Sequence, residues 1–478
     1  MKNPSFLHLV LSLAFSLSLL ACDEDKKNEN NVNNVNNQNN VTVEICDNTL
    51  DDDGDGDADC ADTDCSAAEN CVLNNVNNTN NQQPCAAPPR AFWNYDLTHM
   101  PPSNVQIPST CYGEGDHVYV YVADDAWADG TVDASMVANI VTAWETTTPV
   151  SPDAGIYESI TSVLGLPPDV DSDPHIIVFV TKLGSYNGTT FDGYFRRENQ
   201  TPGSSSNMTE MVYLDCEHHA PDSDYLLGVL AHEFQHMISY NADASEEGWL
   251  DEVFSQAAMV LSGYWSDLAA GNAYLASRTA TAPLLVADSR DFSYGAGFLF
   301  ASWVLDQYPG AFFGDLVADT DYGIASINEA LALHADPDID LYDLILDWAA
   351  ASLLNDATIG DGRYAYLTLG EAVVAPTPTA GTLLTPVAVS LPLGAYKYYE
   401  YAVLGTQELV ITFENPSDTR MLAIFRGAGD VQLLPVAIIG GEAHLTTPEW
   451  DGTWTFIVIR SEGSGTLSFT VSAVGNPA

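Results

Sequence analysis

From Ser223 to Asn241, apolar residues recur at the helical period (Leu226, Leu230, Phe234, Met237), and inside this stretch lies His232-Glu233-Phe234-Gln235-His236. This helix constrains the fold more than any other feature of the chain. Residues four apart share one helix face, so His232 and His236 are presented together. Ser223 is placed to cap the first turn. Two neutral imidazoles on one face can hold a single ion. They suit zinc, whose catalytic sites keep one of four positions open for water. Glu233, one residue on, is placed to act on that water as a general base. Two protein ligands are too few, so a neighbouring element must bring a third.

The candidate is Glu252. Gly248 closes a loop, and a new helix begins Trp249-Leu250-Asp251-Glu252-Val253 and runs to Gly263, putting Glu252 sixteen residues after His236 on an antiparallel neighbour. With these residues the chain resembles the gluzincin metallopeptidases, whose third ligand often lies in a Trp-Leu-Asn-Glu-Gly motif, and among them the hyicolysin family of bacterial metallopeptidases. The approach residues agree: Pro167-Pro168-Asp169-Val170-Asp171 before one strand, and Tyr213-Leu214-Asp215 before the zinc helix. The likeness covers roughly Asp124 to Asp315 and neither end of the chain. Asp251 and Val253 depart from the motif, though neither position supplies a metal bond. Where many gluzincins place a carboxylate to orient a histidine, one turn after the ligand glutamate, this chain has Gln256, whose amide oxygen could accept a histidine N–H. His218 and His219 are not expected to ligate, since three protein ligands already complete a catalytic site.

The resemblance implies an α+β thermolysin- or gluzincin-like catalytic domain. It also implies hydrolysis of peptide bonds in a peptide or protein substrate, with one catalytic Zn2+ and Glu233 as base. An endopeptidase is favoured, because no Gly-x-Met-x-Asn stretch for gripping a free amine is present. Gluzincins also supply a donor to the oxyanion from downstream of the third ligand. Here Tyr294 is the candidate: Tyr294-Gly295-Ala296-Gly297-Phe298 resembles the Tyr-x-x-Gly-Phe helix start of zinc aminopeptidases. A tyrosine beside Gly295 and Gly297 also suits close helix packing. The rival reading of the whole chain is a non-enzymatic adhesin or binding protein that retains a peptidase-like fold. A complete set of ligands and base argues against it.

Around this core the pattern changes. His117 to Val122 alternates at the strand period, and Ile176 to Val180 and Glu210 to Leu214 are apolar strand runs, so 91–375 reads as one mixed catalytic domain. A Pro- and Thr-rich linker is expected over 376–388. Beyond it, short strand-like runs separated by turn residues predict a C-terminal antiparallel β-sandwich over 389–478.

The N-terminus reads as export. Lys2 precedes an apolar stretch from Phe6 to Leu20, too short to span a membrane and fitting a secretory signal over 1–21. It ends Leu19-Leu20-Ala21-Cys22, which resembles the bacterial lipobox and implies a membrane-anchored lipoprotein with Cys22 lipidated. Asn-rich spacers are expected over 22–45 and 73–90, flanking an insert over 46–72. Cys46, Cys60, Cys65 and Cys71 would form two disulfides there, in one of three connectivities. Asp51, Asp53, Asp55, Asp57, Asp59 and Asp62, with Gly56 at the turn, resemble the calcium loop of EF-hands and thrombospondin type 3 repeats, so Ca2+ is a second possible ion. An acidic turn stapled by disulfides is the plainer alternative. With Cys22 set aside, the odd count leaves one thiol unpaired among Cys85, Cys111 and Cys216. The formal charge of -52, from 14 Lys+Arg against 66 Asp+Glu, excludes a nucleic-acid binder working through its own basic surface.

Overall fold

The expected strand runs assemble into one sheet that carries the histidine helix at its edge. The computed structural model describes residues 85, 87–285, 291–308, 310–403, 408–427, 430–446 and 452–474. Cys22, the first Asn-rich spacer, the second one as far as residue 84, and the Asp51 to Asp62 loop with its four cysteines lie outside the described residues; the end of the stretch expected to be the second spacer is described, with Cys85 in a disulfide and Arg90 opening the first strand. In chain order the strands are β1 (Arg90–Asp96), β2 (Ser103–Glu114), β3 (Val118–Ala123) and β4 (Ile176–Thr181), a small hairpin of β5 (Ser185–Tyr186) and β6 (Thr189–Thr190), then β7 (Gly193–Phe195) and β8 (Met211–Asp215). Six of them form a mixed sheet in the order β1-β2-β3-β4-β8-β7. Its centre, β3-β4-β8, is parallel, with Val118 opposite Ile176 and Ile177 opposite Met211. Parallel strands are covered on both faces, which is why β4 and β8 read as continuous apolar runs and are buried at every position.

Helices α1 (Asp124–Ala128), α2 (Ala134–Glu145) and α3 (Ile156–Leu164) lie in the crossover between β3 and β4. After β8 come α4 (Asp224–Ala242), α5 (Gly248–Ser262), α6 (Leu268–Ser277), α7 (Asp291–Gln307), α8 (Ala311–Ala318), α9 (Ile324–His334) and α10 (Leu341–Leu354). Helix α4 begins at Ser223, whose hydroxyl accepts the Leu226 N–H, as its sequence predicts. It packs on β7, β8 and α5 together, so it is buried all round from Leu226 to Ser239 instead of along one stripe. Gly263, at φ 78°, closes α5 in the left-handed conformation that glycine adopts without strain.

The rest of the described chain is β-rich. It runs β9 (Thr379–Ala380), β10 (Val387–Ser390), β11 (Tyr396–Val403), β12 (Glu408–Phe413), β13 (Thr419–Gly427), β14 (Asp430–Pro435), β15 (Glu442–Thr446), β16 (Gly452–Arg460) and β17 (Thr466–Val474). These make sheets of four (β10-β17-β12-β15) and five (β14-β13-β16-β11-β9) strands. The two sheets share an apolar core in which the Tyr399 and Phe469 rings meet at 5.4 Å. All pairings are antiparallel except β9 on β11, where Thr379 pairs with Tyr399 inside the segment expected to be a linker.

The five-stranded sheet is buried on both faces. Tyr399 and Tyr401 face the other sheet, while Tyr396 and Tyr398 join the core of the helical region. Tyr396 packs edge-on against Trp348 of α10, and the Tyr398 hydroxyl donates to the Ala349 carbonyl. Arg420 of β13 forks onto Asp340 and Asp343 at the start of α10. The β-rich region is therefore built into the molecule through α10. Cys85 and Cys111 form a disulfide, leaving Cys216 as the buried free thiol, pushed up to about 12 by burial. Among the described residues no helix is long and apolar enough to cross a membrane.

Candidate metal centre

Helices α4 and α5 run side by side and point their ligands at one spot. The Nε2 atoms of His232 and His236 stand 3.1 Å apart. Glu252 Oε2 lies 3.3 Å from His232 Nε2, and Glu252 Oε1 3.9 Å from His236 Nε2. Two N–H groups cannot face each other at 3.1 Å, so at most one of these nitrogens carries a proton. Ligand atoms about 2.0–2.1 Å from a tetrahedral ion stand about 3.3–3.4 Å apart. The His232–His236 and His232–Glu252 separations lie close to that value, and one ligand atom from each of the three residues lies near enough to the others for the group to hold a metal ion.

The charges around the cluster favour a cation. Burial disfavours a charged His236 ring, yet Asp251, Glu252 and Glu233 push it up to about 10. Burial also works against an ionised Glu252, but His232 and His236 hold its carboxyl below the usual range. Three carboxylates and two imidazoles thus share a nearly dry site.

Glu233 sits beside the cluster with its two oxygens in different states. Oε2 accepts the Phe195 N–H from β7 at 2.7 Å, while Oε1 is buried without a hydrogen-bond partner. Burial pushes its carboxyl above the usual range, with His236 and His232 pulling the other way. The close approach of β7 to α4 depends on Gly193. A Cβ there would stand 2.7 Å from Val229 Cγ1 and 2.9 Å from the Tyr213 carbonyl oxygen.

One expectation is corrected. Gln256 does not steady a histidine: its Nε2 donates to Asp267 Oδ2 at 2.8 Å. His236 Nδ1 is already occupied, by Asp251 Oδ2 at 2.9 Å and Ser255 Oγ at 3.2 Å. The orienting carboxylate therefore comes from the residue just before the ligand glutamate, where the chain departs from the gluzincin motif. Asp251 was visible in the sequence as that departure, but only the structure shows its direction. His218 rests on Asp215, and His219 leans toward Asp192; neither joins the three-ligand cluster.

Tyr294 lies in the first turn of α7 and lines the same cleft as His232, Glu233, Tyr225, Met259 and Asp267. Its ring is 6.0 Å from that of His232. Gly295 makes this approach possible, because a Cβ there would fall 2.4 Å from the Ala270 carbonyl carbon on α6.

No protein-family profile and no curated protein matches the sequence. Among solved structures, similarity is found to the pre-peptidase C-terminal domain of a collagenase from Bacillus anthracis, at 15% identity and TM-score 0.16, covering 20% of this chain and 95% of that one. The periplasmic inhibitors of g-type lysozyme from Salmonella Typhimurium and Aeromonas hydrophila are similar at 11% and 13% identity, each with TM-score 0.17, covering 20% of this chain and 99% and 96% of theirs. Likenesses this slight leave the chemistry of the chain to its own residues.

Proposed function

We propose that this chain is an exported zinc metallopeptidase of the gluzincin type, with a thermolysin-like catalytic core, that cleaves peptide bonds within chains. One observation carries the reading: His232, His236 and Glu252 converge closely enough to share a metal ion, beside a buried carboxylate, Glu233, with one oxygen fixed and the other unpartnered. Zinc held there would polarise a substrate carbonyl and make water acidic enough to ionise near neutral pH. Glu233 Oε1 then accepts the proton of the attacking water and hands it to the leaving nitrogen. Its raised affinity for a proton suits a group that must hold one between two transfers. Tyr294 donates to the oxygen on which negative charge develops. β7 ends the sheet next to Glu233, and an edge strand can align an extended chain by backbone pairing.

The test is digestion of an unfolded protein by the purified full chain, with metal content measured on the same sample. Hydrolysis should stop when zinc is stripped by a chelator and return on adding it back. A zinc-loaded protein that cuts no peptide would instead favour the binding-protein reading.

The proposal extends to location. Leu19-Leu20-Ala21-Cys22 supports a lipid-held protein carried clear of a membrane on its Asn-rich spacers. Cys22→Ser should move the protein out of the membrane fraction or stall its maturation. A mature N-terminus other than a modified Cys22, seen by mass spectrometry, would refute the anchor.

A further inference from the structure

The loop that enters β4 brings acidic side chains to a carboxylate that is buried. Asp169, Asp171 and Asp173 recur at every second position between Pro168 and Pro174, the spacing at which calcium loops present their first carboxylates. Such a run is by itself only a solvated acidic turn. Glu210 sets this one apart. It stands immediately before β8 and is 1% exposed. Its Oε1 accepts the N–H of Val170, which lies between Asp169 and Asp171, so the carboxylate is set against the middle of the loop. Oε2, on the same carbon, is buried without a hydrogen-bond partner. Burial pushes this carboxyl above the usual range; backbone N–H groups pull it back, while Asp171 and Asp169 push it further up. The charged side chains that act on it are thus carboxylates as well. An ionised group in such a place is costly unless it takes up a proton or has a cation beside it.

We propose that Glu210, Asp169 and Asp171 bind one calcium ion, with backbone carbonyl groups of the loop and water completing its shell. The donor chemistry favours calcium, which takes six to eight oxygens in flexible geometry. Zinc would look for nitrogen or sulfur. The imidazole of this loop, His175, is already engaged: its backbone N–H and its ring both bond Asp173, and the ring stacks on Tyr119 at 4.0 Å. Asp169 and Asp171 are exposed, so their side chains can turn toward Glu210. The ion would pin the entry of β4 to the entry of β8, where the Ile177 N–H already donates to the Glu210 carbonyl at 2.8 Å. Two residues further on, Val212 pairs with Phe195 of β7, whose N–H holds Glu233. Calcium would therefore steady the end of the sheet on which the buried base rests. The site uses none of the zinc ligands and none of the Asp51 to Asp62 loop, and its test does not depend on the peptidase reading.

The experiment uses the zinc-loaded full chain and terbium as a luminescent stand-in for calcium, excited through tyrosine. Tyr119 stands beside the loop, whereas the 46–72 insert contains no tyrosine or tryptophan to pass on excitation. Wild-type protein should show sensitised emission that calcium reverses, binding with a dissociation constant of about 0.1–1 mM, the range of calcium modules outside the cell. Tyr119→Phe should dim the emission without changing calcium uptake in equilibrium dialysis. Glu210→Gln keeps an oxygen for the Val170 N–H but removes the buried charge, and should weaken calcium binding about 10-fold or more. Asp171→Asn, at an exposed position that cannot disturb the core, should weaken it as well and decides the matter if Glu210→Gln fails to fold. No sensitised emission from wild-type protein, emission that calcium does not reverse, or emission unchanged by Tyr119→Phe would overturn the proposal. So would unaltered calcium affinity in Glu210→Gln or Asp171→Asn, which would make Glu210 a buried acid that keeps its proton.

Discussion

Glu252→Ala should yield a folded protein that retains no stoichiometric zinc after dialysis and hydrolyses no peptide. Glu233→Gln should keep one zinc and still lose about 100- to 10,000-fold in turnover, the usual contribution of a positioned general base. The contrast follows from geometry. Glu252 stands 3.3 Å from His232 Nε2 and completes the triangle of ligand atoms. Glu233 binds the Phe195 N–H instead, keeps its other oxygen buried without a hydrogen-bond partner, and lines the cleft. Asp251→Asn should fall between them. An amide can still accept from His236 Nδ1, but without the anion zinc affinity should drop by about 10- to 100-fold. Elemental analysis and turnover on the same preparations separate the three. Retention of both zinc and activity by Glu252→Ala would show that the third ligand lies elsewhere.

The centre of this site was legible because its signals are local. A helix reports itself by period, and His232, Glu233 and His236 share one turn of it. Glu252 was within reach because the next helix follows after a short loop, is bounded by Gly248 and Gly263, and packs against α4. What the sequence concealed depends on approach between distant segments. β7 has three residues, too few to show a period, and the need for Gly193 appears only where α4 passes beneath it. Gln256 was misread for a related reason. Its place on α5 is one turn past Glu252, but its direction is decided by the partners around it. Asp267 offers it a carboxylate, and His236 has already been taken by Asp251 and Ser255. Counting cysteines left the pairing open, since only folding decides that Cys111 meets Cys85 while Cys216 is buried alone. The alternating tyrosines of β11 showed a strand, but not that Tyr396 and Tyr398 would be covered by α10.

Tyr294→Phe should lower turnover by about 100- to 1,000-fold, the cost of losing one oxyanion donor. Zinc content and thermal stability should stay near those of the unaltered protein. The change removes a single hydroxyl from a ring that already lies in the cleft, 6.0 Å from the His232 ring, and it leaves the packing of α7 in place. The alternative role, a tyrosine that only fills a close helix contact, predicts something else. In that case the contact itself matters, and Gly295 is where it is made, against Ala270 and Gly271 on α6. Gly295→Ala should therefore lower the melting temperature and disturb activity by moving the whole start of α7, whichever role Tyr294 plays. Only an oxyanion donor makes Tyr294→Phe a defect in turnover with stability untouched. Because that donor acts on charge present in the transition state and not in the bound substrate, kcat should fall while KM changes little. A Tyr294→Phe enzyme with near-normal kcat would remove Tyr294 from the chemistry and leave the oxyanion to another group of the cleft.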